Sequence, residues 1–333
     1  MKFTEGLFTE NIPILRKKRD TYDPRDLSWF DDENADDALA DPLSESWGAN
    51  NGARIVGGTQ AAAHSWPWAV LLTVCIEYGW ARECFKCGAV LISRKWALTA
   101  GHCLPKNRKL SIVADIGNHD SSIENQGVKV VVEDYMVHEG FKKLVSDGVA
   151  VIEHDVGLIK LAREVDYDDK IRSACLPNEH VCIKPGTICV VVGWGYTDEL
   201  GVDGFPNQLQ QAPVKIFNNT FCKKFQNYNV VTDHMLCAGW INGGIDACGG
   251  DSGGPLSCKI GDEPDSPWVL AGTVSWGIGC ARARSPGVYT NIAKYSRWIK
   301  EKTGVDPVVT PEENSKNSCI KTSAVAKDYK ECL

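Results

Sequence analysis

The chain has 333 residues, of which 43% are hydrophobic and 24% charged, and its formal net charge is −7. This length allows one large or two ordinary domains, and the composition is that of a globular protein. No apolar run reaches the ~18 residues that cross a bilayer, and nothing in the charge pattern indicates nucleic-acid binding. We therefore expect no membrane and no nucleic acid among the partners.

The chain contains 14 cysteines. They lie far apart and form no repeated CxxC pairs, which indicates disulfides and an oxidising compartment. Cys84 and Cys87 have metal-like spacing, but no second such pair lies nearby, so we expect no metal. We expect a secreted, extracellular protein. Residues 1–15 lack the continuous apolar core of a signal peptide, so the signal would lie upstream or have been removed; an intracellular protein is the alternative.

The first 54 residues differ in character from the rest of the chain. Residues 1–19 hold five basic and two acidic side chains, and residues 20–54 hold ten acids against Arg25 and Arg54. The acidic part has no hydrophobic periodicity, which predicts a flexible, disordered prosegment over residues 1–54; a solvated linker is the alternative. The basic run at residues 16–19 is either a solvated patch or a processing site.

From residue 55 the chain is rich in short β-type runs separated by Gly, Pro, Asn and Asp. This spacing is typical of an all-β sandwich or barrel, and propensity does not choose between the two. Residues 295–302 have helical character and stop at Gly304. Residues 304–333 form a polar tail that contains Cys319 and Cys332. The β-type runs are 69–76, 89–92, 110–113, 128–132, 157–161, 187–192, 214–217 and 269–274.

Residues 248–255 read Cys-Gly-Gly-Asp-Ser-Gly-Gly-Pro, which surrounds Ser252 with glycines. A serine hydroxyl is a poor nucleophile, so a reactive one needs a base and a trap for the oxyanion that forms. The glycines leave the backbone unhindered, so the amides of Gly250 and Ser252 can point at one negative charge. A glycine-rich surface turn is the alternative.

A base and an orienting acid lie upstream of that serine. His102 follows an apolar, strand-like run, and Asp155 stands at the head of another. Taken alone, His102 could be a structural histidine and Asp155 a strand-end cap. The order His, Asp, Ser, separated by about 50 and about 100 residues, favours a catalytic set.

With these motifs the chain resembles the trypsin/chymotrypsin-like serine proteases from about residue 55 to residue 303. The resemblance implies two six-stranded antiparallel β-barrels with the site between them and a short C-terminal helix. Gly157 departs from the family, which usually has a larger small residue there, and this puts local packing in doubt. The segments that carry the resemblance are residues 54–58, 66–68, 99–103, 155 with 158, 193–195, 248–255, 275–277 and 286–289.

The resemblance also assigns chemical roles. Ser252 would attack a peptide carbonyl, His102 would take its proton, and Asp155 would orient His102. The amides of Gly250 and Ser252 would hold the oxyanion, and no cofactor is needed. The rival hypothesis is a catalytically silent binding module with the same fold.

Activation and specificity follow from the same resemblance. Cleavage of Arg54–Ile55 would create an ammonium group that pairs with Asp251. Asp246 would form the floor of a pocket for Arg or Lys. Gly277 and Gly287 would leave the pocket open, and Ser275, Trp276 and Gly277 would present backbone to the substrate.

The resemblance implies four disulfides: Cys87–Cys103, Cys189–Cys258, Cys222–Cys237 and Cys248–Cys280. Cys75 and Cys84 flank a short loop and are expected to bond to each other. Residues 1–54 contain no cysteine. We therefore expect Cys175 and Cys182 to bond to the tail cysteines, in an order that the sequence leaves open, and the cleaved prosegment to leave freely.

The remaining expectations concern modification and partners. Asn218 begins a glycosylation sequon. The loop at about residues 118–127 corresponds to the family's calcium loop, but Gly127 replaces a carboxylate there, so calcium binding is not expected. The expected partners of a monomeric enzyme are peptide or protein substrates, an activating protease or itself, and protein inhibitors.

Overall fold

The structure, a computed structural model, describes residues 55–146, 149–260 and 266–307, and two short strands further on. The expectation of a disordered prosegment over residues 1–54 lies outside these residues, as does most of the expected tail. In the described part, β-strands dominate and helices are short.

The first barrel is formed by six strands from the N-terminal half of the described residues. The strands are β2 (Ala69–Tyr78), β3 (Ala81–Leu91), β4 (Trp96–Thr99), β5 (Lys109–Ile116), β6 (Val128–Val137) and β9 (Gly157–Leu161). Their order is β2-β3-β4-β9-β6-β5, and β5 pairs back with β2, so the sheet closes. Every pairing is antiparallel.

The second barrel follows in the chain. The six strands are β10 (Ile188–Gly193), β11 (Gln210–Phe217), β12 (Met235–Gly239), β13 (Pro255–Lys259), β14 (Trp268–Trp276) and β15 (Gly287–Asn291). Their order is β11-β10-β13-β14-β15-β12, and pairing of β12 with β11 closes the barrel. The short strand β1 (Thr59–Gln60) adds to β11. The predicted fold class of two six-stranded barrels is confirmed.

The other elements are small. β7 (Lys142–Ser146) pairs with β8 (Val149–Glu153), and β16 (Val309–Pro311) with β17 (Ser323–Val325). The helix α1 (Asn219–Cys222) is capped by the exposed Asn218, whose side chain accepts a hydrogen bond from Thr220 N. The predicted C-terminal helix is α2 (Ser296–Thr303), which ends at Gly304 with φ 74°.

Each barrel closes around apolar side chains of its strands. Leu72, Leu91 and Leu98 are fully buried in the first barrel, and Val191 and Leu256 in the second. The barrels touch at glycines, because a Cβ on Gly88 of β3 would lie 2.7 Å from the backbone of Gly254. This close approach brings the Ser252 loop against the first barrel.

Five disulfides join cysteines in the pairs expected. They are Cys75–Cys84, Cys87–Cys103, Cys189–Cys258, Cys222–Cys237 and Cys248–Cys280. Cys175 and Cys182 are also disulfide-bonded. Their expected partners in the tail lie outside the described residues, so that pairing stays a prediction.

Candidate active site

His102 and Asp155 are in direct contact. His102 lies in the 3-10 turn Gly101–Cys103 that follows β4, and Asp155 precedes β9, the neighbour of β4. The imidazole Nδ1 lies 2.7 Å from Asp155 Oδ2, and the His102 backbone N–H donates to Oδ1 at 2.8 Å. A third donor, the hydroxyl of Ser275, lies 2.6 Å from Oδ2.

The charge of Asp155 is stabilised although its side chain is only 1% exposed. Burial favours the neutral acid, but the charge of His102, its hydrogen bonds and the Ser275 hydroxyl outweigh it and lower the pKa. An ionised carboxylate at Nδ1 fixes the ring orientation and leaves Nε2 as the nitrogen available to a nucleophile.

The Ser252 loop is held against the segment that carries His102. The Ser252 carbonyl accepts a hydrogen bond of 2.8 Å from Gly88 N, and the neighbouring Gly253 leaves no room for a Cβ beside Thr99 and Ala100. The disulfide Cys87–Cys103 clamps the same region. Among the described residues, no hydrogen bond joins the Ser252 hydroxyl to the imidazole; backbone contacts hold the Ser252 loop against the segment that carries His102.

The amides predicted to form an oxyanion hole are unpaired. Neither Gly250 N nor Ser252 N donates to a group in the described part of the chain, whereas Asp251 N and Gly253 N do. Gly250 has φ 99°, a conformation that side chains other than glycine rarely adopt. A Cβ there would also lie 2.6 Å from the Phe205 ring, so this position accepts glycine only.

A pocket connects Ser252 with Asp246. Asp246 is 3% exposed and accepts hydrogen bonds from Ala247 N at 2.9 Å and Ala281 N at 3.2 Å. Burial raises its pKa to about 7, against the lowering effect of these hydrogen bonds. The pocket is lined by Asp246, Ala247, Cys248, Gly249, Ser252, Val274, Ser275, Trp276, Gly277, Gly279, Cys280, Gly287, Val288 and Tyr289.

The two glycines predicted to keep the pocket open, Gly277 and Gly287, differ in how much space surrounds them. A Cβ on Gly287 would lie 2.8 Å from Asp246 Oδ1, so a side chain there would cover the carboxylate. A Cβ on Gly277 would meet only Gly279 O, at an ordinary 3.5 Å. Sequence reasoning missed Tyr228, which is fully buried, stacks on Trp276 and donates a hydrogen bond of 2.7 Å to the carbonyl of Pro286. No motif surrounds it that could have found it.

Asp251 and the start of the domain are both buried. Asp251 is fully buried and accepts hydrogen bonds from Gly195 N at 2.7 Å and Cys248 N at 3.0 Å. Burial nevertheless raises its pKa to about 6. Ile55 is fully buried as well, and Val56 O accepts a hydrogen bond from Asp246 N. Arg54 lies outside the described residues.

The structure shows what surrounds the two places where the sequence departs from the family pattern, Gly157 and the loop at residues 118–127. The space beside Gly157 is filled by Leu104, since a Cβ would lie 2.7 Å from Leu104 Cδ1, so packing there is intact. The loop at residues 118–127 is closed by Gln126, whose side-chain oxygen accepts a hydrogen bond of 2.7 Å from His119 N. Within the described ranges, no three metal-binding side chains cluster.

Two closed antiparallel barrels that bring a His–Asp pair beside a glycine-rich serine loop have the architecture of the double-barrel serine hydrolases. The family model described as Trypsin matches residues 55–299. The chain therefore belongs to the trypsin family of serine proteases.

Two curated relatives show what else the chain is similar to. Coagulation factor XI of Bos taurus is 37% identical over 253 residues, which are 75% of this chain and 38% of the relative. Transmembrane protease serine 9 of Rattus norvegicus is 35% identical over 308 residues, 91% of this chain and 27% of the relative. The chain thus spans well under half the length of both. Among the described residues, no helix has the length and apolar character that crossing a bilayer requires.

Proposed function

We propose that this chain is a secreted serine endopeptidase, made as an inactive precursor, that cuts peptide bonds after Arg or Lys. The observation that carries this proposal is a pocket lined by both Ser252 and the buried carboxylate of Asp246. A buried carboxylate at the floor of a narrow pocket favours a long cationic side chain, because a neutral one leaves the charge unpaired.

The proposed reaction assigns defined roles to Ser252, His102 and Gly250. Ser252 Oγ attacks the carbonyl carbon while His102 Nε2 takes the hydroxyl proton. The amides of Gly250 and Ser252 stabilise the oxyanion. His102 then returns the proton to the amine that leaves, and an acyl-enzyme remains on Ser252. Water, deprotonated by His102, releases the acid by the same steps.

The substrate backbone would extend along the pocket wall. Ser275 and Trp276 end β14, Gly277 follows the strand, and all three line the pocket, so their backbone groups can pair with the substrate as with an added strand. Ser275 also donates to Asp155, which couples the wall to the His–Asp pair.

Activation would use the buried Asp251. Cleavage of Arg54–Ile55 releases an ammonium group on Ile55, whose side chain is already buried. An ion pair between this group and Asp251 would offset the cost of burying the carboxylate and order the Gly249–Ser252 loop. Because Arg54 suits the proposed pocket, the enzyme could activate itself or be activated by another protease.

Active-site titration tests the proposal. The chain is cleaved at Arg54 and treated with an organophosphorus reagent that phosphorylates activated serines, with Ser252→Ala as control. We expect one equivalent of reagent on Ser252 and hydrolysis of anilides of Arg and Lys but not of Gln. An unlabelled Ser252 after complete cleavage would identify a silent binding module instead.

A further inference from the structure

Lys86 is a half-buried cation that has no counter-ion among the described residues. It lies on β3, and burial lowers the pKa of its ammonium group. In the part of the chain that the structure describes, no carboxylate lies within ion-pair distance of it. Its Nζ lies 4.7 Å from the centre of the Phe205 ring, a cation–π contact.

Lys86 lies close to the reacting serine. Gly88, two residues further along β3, donates a hydrogen bond of 2.8 Å to the Ser252 carbonyl. Alternate residues of a strand share a face and are separated by about 7 Å. Lys86 therefore lies on the face of β3 that carries Gly88, and the Gly88 Cβ position points at Gly254.

Phe205 and Tyr196 form a rigid surface next to Lys86. Their rings stack with centres 4.2 Å apart. The Phe205 ring touches Gly250, the Tyr196 ring lies 3.0 Å from the Cβ position of Gly249, and Tyr196 N donates to Gly249 O at 2.7 Å. We call Lys86, Tyr196 and Phe205 the aromatic–lysine platform.

The platform and the pocket are different surfaces at the same serine. None of the three platform residues lines the pocket that contains Asp246. A substrate that fills the pocket with the residue before the cut bond must continue past Ser252. The platform lies beside the Ser252 loop on the β3 side and outside that pocket, so it is a surface available to the part of the substrate that follows the cut bond.

We infer that the aromatic–lysine platform binds a Glu or Asp side chain within the first three residues after the cut bond. The inference rests on the proposed function of the pocket and names the substrate class of the same cleft. A half-buried ammonium that no described carboxylate neutralises attracts a carboxylate and repels a cation, and the rings accept the methylene groups of a Glu side chain. Partly exposed ion pairs contribute modestly, so we expect a two- to fivefold preference.

The experiment compares internally quenched peptides that are identical up to an Arg before the cut bond. At each of the first three positions after it, one series carries Glu, Gln or Lys. We expect kcat/KM to fall in the order Glu, Gln, Lys at one position or more, and the differences to shrink at high salt. Rates are divided by each protein's rate on an Arg anilide, which has no residue after the cut bond.

Variants assign the preference to the platform. Lys86→Glu should reverse the order, and Lys86→Gln should make the three peptides equal. Lys129→Glu makes the same charge change on an exposed lysine of β6 and should keep the original order. Equal rates for the three peptides in the unsubstituted protein, or an order that persists in Lys86→Glu, would overturn the inference.

Hydrolysis of the Arg anilide distinguishes a failure of this inference from a failure of the proposed function. If the cleaved protein hydrolyses the Arg anilide but treats the peptides alike, only the platform assignment is wrong. If it does not hydrolyse the anilide, the proposed function fails and the inference fails with it. The comparison of peptides needs no variant, so it stands even if Lys86→Glu does not fold.

Discussion

Asp155 holds His102 at two points, the ring Nδ1 at 2.7 Å and the backbone N–H at 2.8 Å. The first contact sets which ring nitrogen carries the proton, and the second fixes the turn that carries the ring. A single buried carboxylate therefore determines both the tautomer of His102 and the position of its backbone.

Asp155→Asn is expected to lower kcat about 10⁴-fold, as the same exchange does in the type case of this family. The amide keeps one oxygen for the backbone N–H of His102 but presents an NH₂ group to Nδ1. The ring then adopts the wrong tautomer. Steady-state kinetics on an Arg anilide measure the loss.

Ser275→Ala is the matched comparison for that variant. It removes one of the three donors to Asp155 and leaves His102 in contact with the carboxylate. A tenfold or smaller fall in kcat is expected. A similar loss in both variants would contradict the assignment of the tautomer to Asp155.

Cation binding in the pocket is expected to depend on the protonation of Asp246. Burial raises its pKa to about 7, so the empty pocket is mostly neutral below that pH and charged above it. An aromatic amidine binds the charged form, so its affinity should fall by up to tenfold per pH unit below about pH 7. Calorimetry near that pH should show a proton released on binding. A constant affinity from pH 5 to pH 8 would exclude this linkage.

Gly250→Ala is expected to lower kcat by about 10²–10³-fold, the usual effect of losing one oxyanion donor. A methyl group would meet Phe205 at 2.6 Å, and φ 99° is unfavourable for alanine. The loop would shift and the amide of residue 250 would turn away. Gly204→Ala is the control, since Gly204 also has positive φ, at 73°, but faces open space. It should lose some stability and little activity; equal losses of activity would point to backbone strain alone.

The sequence could single out the candidate site residues that lie in continuous motifs. His102, Asp155 and Ser252 each stand in a short segment whose residue types already indicate the chemistry. The choice of a barrel over a sandwich needed the family resemblance, because the pairing of β11 with β12 that closes the second barrel leaves no local signal.

Contacts between distant segments could not be predicted. Lys86 and Phe205 are more than 100 residues apart and meet only because β3 packs beside the loop after β10. Gly157 is a second position where a contact with a distant segment could not be predicted. Its small size looked like a packing defect, whereas Leu104, from another segment, occupies the space.

Activity after cleavage is expected to fall at alkaline pH. Asp251 is fully buried, and its pKa is raised to about 6 by burial, so a cationic partner would stabilise its carboxylate. A free α-amino group titrates near pH ~8, and pairing with a carboxylate raises that pKa. The ion pair is therefore present below this raised value and is lost as the pH rises through it. Activity and near-UV circular dichroism should change together, reversibly, above pH ~8.

Asp251→Asn tests the same ion pair without a change of pH. The variant should be cleaved at Arg54 but remain inactive, because the neutral amide cannot hold the new ammonium group. Undiminished activity well above pH ~9, or an active Asp251→Asn protein, would contradict this form of activation.

The prosegment is expected to leave the protein after cleavage, whereas the C-terminal tail stays attached by disulfides. Residues 1–54 contain no cysteine, and Cys175 and Cys182 are both disulfide-bonded. For comparison, a protease site is introduced between residue 304 and Cys319, so that the tail can be cut from the domain in the same way as the prosegment. On a non-reducing gel, the cut at Arg54 should release a fragment, and the cut in the tail should release one only after reduction. A prosegment that needs reductant to separate, or a tail that leaves without it, would contradict the predicted pairing of Cys319 and Cys332.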